Sequence, residues 1–189
     1  MKRVTFDQIA RDEKAVTFQP DDSYLLSYRE FIAYFAALDT ITPHHLIIGA
    51  HFAYGWMPTI LELKNPNARL ARAVSILNEA KRGVMAGQDD LAHLAGLVNN
   101  SMVGASKLIH FVNPNLYAIW DSRVYRYING QAPYQYQIGD PGNYLAYLAN
   151  CCEIVADKRF KQLHISISAK VGYVVSPYRA VELVMFMNS

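Results

Sequence analysis

Four times along this chain a helix-capping residue and a proline stand immediately before a run of helical spacing: Thr42-Pro43, Asn65-Pro66, Asp140-Pro141 and Ser176-Pro177. Proline loses nothing at the first helical position, because its missing N–H would have no partner there and its fixed φ suits the helix. The Ser, Thr, Asp or Asn before it offers a side-chain oxygen to the free amides of the first turn. Each pair therefore marks a helix start. Thr5 with Gln8 forms a capping box, and Asp22 or Ser23, Asp89 or Asp90, Ser101 and Asp121 supply further starts. Gly55, Gly83 and Asn129-Gly130 supply stops.

Between these signals the apolar residues recur at helical spacing: Phe31, Tyr34, Phe35 and Leu38; Leu70, Val74 and Leu77; Leu91, Leu94, Ala95 and Val98; Ala105, Leu108, Ile109 and Val112. Leu145, Leu148, Cys152 and Val155 are expected to face inward from the helix begun at Asp140-Pro141. In Phe160–Val174, Ile165 and Ile167 alternate as in a strand. Phe160, Leu163, Ile167, Val171 and Val174 fit a helix, and helix is the expectation. Gly130–Gly142, rich in Tyr and Gln, reads as the one long irregular segment. The pattern predicts an all-α, compact multi-helix domain over residues 1–189, with about eight to ten helices and no internal repeat.

Composition narrows the function. Hydrophobic residues make up 52% of the chain and charged residues only 18%, against roughly 25% in ordinary soluble domains. Such a chain buries most of its helical surface or covers an apolar face with a partner. A formal net charge of +2 argues against a whole-surface polyanion binder while leaving room for a local basic patch. Cys151 and Cys152, adjacent in a helical pattern, read as reduced core residues of a reducing compartment. The N-terminus lacks the apolar stretch of a secretory signal. From Phe31 to Leu61 the only acid or base apart from histidines is Asp39, but Pro43, Gly55 and Pro58 break the run. Two buried helices explain it better than a membrane span, so the expected location is cytoplasmic, with no membrane partner.

The histidines do not form a metal motif. His44 and His51 share a helix face but lie two turns apart, and no Cys-x-x-Cys or His-x-x-x-His accompanies them, so neither a metal nor a cofactor is expected. Gly-x-Ser-x-Gly and phosphate-cradling glycine loops are absent.

The chemistry concentrates in Ser101-Met102-Val103-Gly104-Ala105-Ser106-Lys107-Leu108-Ile109-His110-Phe111, Asn113-Pro114 and Trp120-Asp121-Ser122-Arg123-Val124. A break at Asn99–Ser101 opens a helix bearing Lys107; a turn follows; an acid then opens a helix bearing Arg123 and Arg126 on one face. A helix N-terminus with nearby cations suits phosphate.

This stretch, about residues 88–128, resembles the hairpin-to-aspartate region of the helix-hairpin-helix DNA glycosylase superfamily. The resemblance implies an all-α fold in which a glycine-bearing hairpin grips DNA backbone. It implies a lysine, or an activated water, attacking the anomeric carbon of a sugar, and an Asp supporting that attack. By motif position Gly104 is the hairpin glycine, Lys107 the nucleophile and Asp121 the acid. Arg123 and Arg126 would meet phosphates, and Trp120 a base. The hairpin here reads Asn100-Ser101-Met102-Val103-Gly104 in place of Leu-Pro-Gly-x-Gly, and 13 residues separate Lys107 from Asp121, fewer than in familiar glycosylases. The same run is also similar to small bacterial proteins of unassigned activity.

Plainer readings stand beside this one. Asp121 is also a good N-cap, Lys107 and the two arginines also fit a solvated face, and Trp120 and Tyr117 also fit a core. The apolar helices of 31–61 and 171–187 also suit a protein-interaction or homo-oligomerising domain without catalysis. A third reading is a small-molecule enzyme with a pocket at Tyr117, Trp120 and the Tyr134/Tyr136 loop. Whether the chain is an enzyme stays open at this level.

Overall fold

The computed structural model describes residues 1–19 and 21–189. Among them it has eleven α-helices, one short 3-10 turn and no strand beyond an isolated bridge between Leu63 and Val98. The all-α expectation holds.

The caps fall where local chemistry puts them. α1 (Phe6–Asp12) begins at Thr5, whose hydroxyl accepts from the Gln8 amide. α2 (Ser23–Ala36) begins at Asp22, which accepts from the Tyr24 and Leu25 amides. Prolines open α3 (Pro43–Trp56), α4 (Pro66–Lys81), α9 (Pro141–Val155) and α11 (Pro177–Met187). Gly83 ends α4 at φ +87°, a conformation that costs a side chain but not glycine. α5 (Gln88–Leu97) starts one residue before the expected aspartates, and Asp90 instead accepts from the Gly87 amide. α6 (Met102–Val112) is capped by Ser101, α7 (Ser122–Asn129) by Asp121. Helix is the outcome for Phe160–Val171 (α10), which Gly172 ends; Val174, expected on its inward face, lies beyond the helix and is exposed.

Several expectations need correction: the helices among the described residues number eleven rather than eight to ten, Gly55 lies inside α3 rather than ending it, and two further segments differ. The segment from Gly130 to Gly142 contains a short helix, α8 (Gln135–Ile138), closed by Gln137 accepting from the Tyr134 amide. The inward face of α9 is rotated by one residue: Tyr144, Tyr147, Leu148, Cys151 and Ile154 are buried, while Cys152 is exposed. Tyrosine carries a large apolar ring, and Tyr144 satisfies its hydroxyl inside by donating to the Ala118 carbonyl. Cys152 is thus not a core residue.

The helices form two packed groups. α6 is the axis of the first, against α2, α3, α4 and α5; α11 is the axis of the second, against α1, α7, α9 and α10. A helix that is central is buried all round, and every residue from Gly104 to Val112 is buried, Lys107 and His110 included. α11 is likewise buried from Tyr178 to Met185, Arg179 and Glu182 included. The low charge of the sequence is thus used inside the fold, including much of the apolar surface that suggested a partner. No helix among the described residues is long and apolar enough to cross a membrane.

Candidate functional site

A cavity of about 560 Å³ lies where the two groups meet, within the roughly 300–1,000 Å³ typical of ligand pockets. Lys107 of α6, Asp121 at the head of α7, and Arg179 and Glu182 of α11 line it. Tyr24 of α2 and Trp56 at the end of α3 form an aromatic wall, and Arg123 stands at the exposed rim with its guanidinium 4.5 Å over the Phe186 ring.

The connection between α6 and α7 explains why an acid and a lysine converge here. After the Asn113 turn the chain returns to α6 without regular secondary structure and is pinned to it twice. His110 Nδ1 lies 2.7 Å from the Tyr117 carbonyl, and the Trp120 amide donates to Ser106 Oγ at 3.1 Å. From the other side Trp120 Nε1 donates to the Ile138 carbonyl. Asp121 is the next residue. Its Oδ1 accepts from the Arg123 and Val124 amides, capping α7, while Oδ2 accepts from no protein group among the described residues.

Because Nδ1 of His110 faces a carbonyl, it carries the proton, and Nε2 accepts from the Tyr28 hydroxyl at 2.8 Å. Burial first, and then the Arg179 charge, push the His110 pKa down to about 3, so this imidazole is neutral. Tyr28 also lies under Arg179, whose guanidinium is 4.7 Å from its ring centroid and 5.4 Å from that of Trp56. Arg179 ion-pairs with Glu182 one helical turn on.

Lys107 is only 6% exposed. Among the described residues it makes neither a hydrogen bond nor an ion pair, although lysine is seldom buried without a partner. Burial lowers its pKa; the Asp121 and Glu182 charges oppose that shift, and Arg179 adds to it. In Glu182 burial dominates and raises the pKa to about 7, against the lowering effect of Arg179. Trp56 Nε1 and Arg179 Nε, on residues that line the cavity, are likewise buried without acceptors among the described residues. Such groups carry a desolvation cost that native folds seldom leave uncompensated. The floor therefore offers an unpaired amine, two carboxyl groups and unsatisfied N–H donors, beneath an aromatic wall.

The residues singled out by sequence separate accordingly. Lys107, Asp121 and Arg123 come together at the cavity. Arg126 is exposed on α7 but does not line it. Trp120 is corrected from a base-stacking residue to a core residue: it is fully buried, against Tyr125 and Tyr147. Gly104 is corrected likewise. It is buried in the first turn of α6, where a Cβ would run into the Tyr54 ring, so glycine is needed for packing and its site is closed to phosphate. Tyr117 is core, its hydroxyl bonded at 84–86, and Tyr134 and Tyr136 stack on each other in the open, away from the cavity. No group of three or more His, Cys, Asp or Glu side chains among the described residues is placed to hold a metal.

Sequence reasoning missed Trp56, Tyr24, Arg179 and Glu182. The first two come from distant segments and carry no local signal. The last two do: opposite charges three residues apart in the otherwise apolar run from Pro177 to Met187 indicate a charged pair on a buried helix.

No protein-family model matches the chain, and no curated protein and no solved structure matches it either.

Proposed function

We propose that this domain binds nucleic acid and takes an extruded nucleotide into the cavity, where the Lys107 amine attacks the anomeric carbon of the sugar. The observation that carries the reading is the unpaired, buried amine sharing an open cavity with a carboxylate that has one oxygen free. Desolvation lowers the Lys107 pKa and so raises the fraction of the neutral amine, the nucleophilic form. The aromatic wall of Tyr24 and Trp56 suits the flat face of a base. Arg123 at the rim and Arg126 beyond it supply cationic contacts for the flanking phosphates.

The step balances with the groups present. The amine lone pair forms an N–C1′ bond while the C1′–base bond breaks, its electron pair leaving with the base. The new nitrogen then gives a proton to Asp121 Oδ2. The nitrogen lone pair opens the sugar ring, forming C1′=N as the C1′–O4′ pair moves to oxygen, and Asp121 returns its proton to that oxygen. The product is an iminium that borohydride reduces to a stable adduct.

The test is borohydride trapping on oligonucleotides carrying an abasic site or a damaged base. The full chain should form an adduct that Lys107→Ala abolishes and Asp121→Asn slows by about 100-fold or more. Absence of both adduct and base release, with no DNA binding at low salt, refutes the proposal.

A further inference from the structure

Lys107 and Asp121 account for the sugar, but the departing base carries away an electron pair and needs a proton. Neither residue supplies it: the amine enters the reaction neutral, and the aspartate enters as a carboxylate. Resting on the reading above, we infer that Glu182 is the general acid that protonates the leaving base. Its Oε2 is held by Arg179 Nη1, while Oε1 accepts from no protein group among the described residues, and the residue lines the same cavity as Lys107 and Asp121. One helical turn of α11 fixes the pair, and the Arg179 guanidinium is in turn held over Tyr28 and Trp56. The carboxyl is therefore held by Arg179 on the cavity lining, with one oxygen that accepts from no protein group among the described residues. Among the described residues Glu182 pairs with Arg179 and not with Lys107, so the nucleophile is not tied up by the acid.

The environment favours the acid form. The groups facing Glu182 are Arg179 on its own helix, Lys107 from α6, Asp121 from α7, Tyr28 from α2, and Tyr147 and Cys151 from α9. Burial and the Asp121 charge outweigh the two cations and keep a large share of the carboxyl protonated near neutral pH. The proton passes from Glu182 to the base nitrogen as the C1′–N bond breaks, leaving Glu182 as a carboxylate beside Arg179. It is regained from solvent when the product leaves.

This assignment separates leaving groups by chemistry. Uracil, hypoxanthine and 8-oxoguanine depart faster with a proton, whereas N7-methylguanine, already cationic, departs neutral without one. An abasic site has no base to release. Glu182→Gln, which can still accept from Arg179, should slow release of the first three by about 100-fold or more and remove the alkaline fall of the rate above pH 7. Release of N7-methylguanine should stay within about threefold of wild type, and borohydride trapping on abasic DNA, where losing the Glu182 charge only lowers the Lys107 pKa further, should be no slower than in wild type.

Equal loss on every substrate, trapping included, would make Glu182 structural and overturn the inference, as would unchanged release of all bases. A wild-type chain that traps abasic DNA but releases no base overturns Glu182 as the acid while leaving the Lys107 reading intact. A wild type that does neither removes both. Should circular dichroism show Glu182→Gln unfolded, Glu182→Asp takes its place. It keeps the charge but withdraws the carboxyl, so the same selective pattern is expected at smaller amplitude, and a uniform effect overturns the inference.

Discussion

Replacing Lys107 by methionine should make this protein more stable while removing its proposed chemistry. The side chain is 6% exposed and its ammonium has no hydrogen bond or ion pair among the described residues. Methionine matches the unbranched stem and keeps its apolar contacts without a charge to desolvate. Exchanging buried charged groups for apolar ones of similar volume ranges from neutral to a gain of about 4 kcal/mol. Here the gain is reduced because Asp121 and Glu182 lose a neighbouring cation. The loss is partial, since Glu182 keeps Arg179 and Asp121 keeps two amides. The net expectation is about 1–2 kcal/mol of added stability at pH 7, which raises Tm by about 2–8 °C for a chain of this size. Burial depresses the folded-state pKa of Lys107, so the native state binds fewer protons than the unfolded one across that window. The wild-type penalty is then complete below the folded pKa and fades as pH rises towards the unfolded value near 10.4. The advantage of Lys107→Met should shrink accordingly between pH 7 and pH 10. Denaturant unfolding of both proteins at the two pH values measures it. Destabilisation by more than about 1 kcal/mol at pH 7 would mean that the ammonium serves the fold, and the reasoning from an unpaired charge would be wrong.

Other consequences are as direct. With Lys107 buried, Arg123 and Arg126 are the cations of this region left for phosphates, so duplex binding should show a log–log salt slope of about −1.8. Arg123→Ala with Arg126→Ala should flatten it, and a flat wild-type slope would exclude the arginines as the footprint. Gly104→Ala should cost about 1–3 kcal/mol by overpacking, since the Tyr54 ring is tied to the Val98 carbonyl at 2.9 Å and cannot retreat freely. A Gly104→Ala protein of unchanged stability with lost DNA binding would restore the hairpin-glycine role.

Stability between about pH 5 and 6.5 should be nearly flat. His110, held near pKa 3, makes the native state lose about 1.4 kcal/mol per pH unit on acidification below its unfolded pKa of 6.5. Glu182, raised from 4.5 to about 7, contributes the opposite slope. Glu182→Gln should expose the His110 slope, and a curve that stays flat in that variant would show the two buried groups are misassigned.

The sequence was most readable where structure is decided within one turn of helix. Thr5, Asp22, Ser101, Asp121, Asp140 and Ser176 all accept from amides two or three residues on, because a cap needs only its own first turn. Faces were harder. The phase of α9 depends on whether Tyr144 and Tyr147 go inward, and that depends on a carbonyl at Ala118, 26 residues away in the chain. Burial of a whole helix was harder still. Nothing local distinguishes the Lys107 of a central helix from the lysine of a solvated one, since what buries it is packing by α2, α3, α4 and α5. The cavity itself joins segments from Phe18 to Met187, and long-range closure leaves no periodicity to read.

The one long-range relation the sequence did carry is the spacing of Lys107 and Asp121, and its shortness has a geometric reason. The two anchors, Ser106 to Trp120 and His110 to Tyr117, run in opposite chain directions. Four residues of helix advance about 6 Å, whereas three residues of extended chain advance about 10 Å. A fully extended returning segment satisfies both anchors by crossing α6 obliquely. The residue after the second anchor, Asp121, caps α7 and lines the cavity together with Arg179 and Glu182 of α11. A longer connection would free Trp120 from Ser106 and let Asp121 cap α7 anywhere on the surface. The 13 residues between the lysine and the acid allow one tight turn and one short return, and that return places Asp121 on the cavity that the buried Lys107 lines.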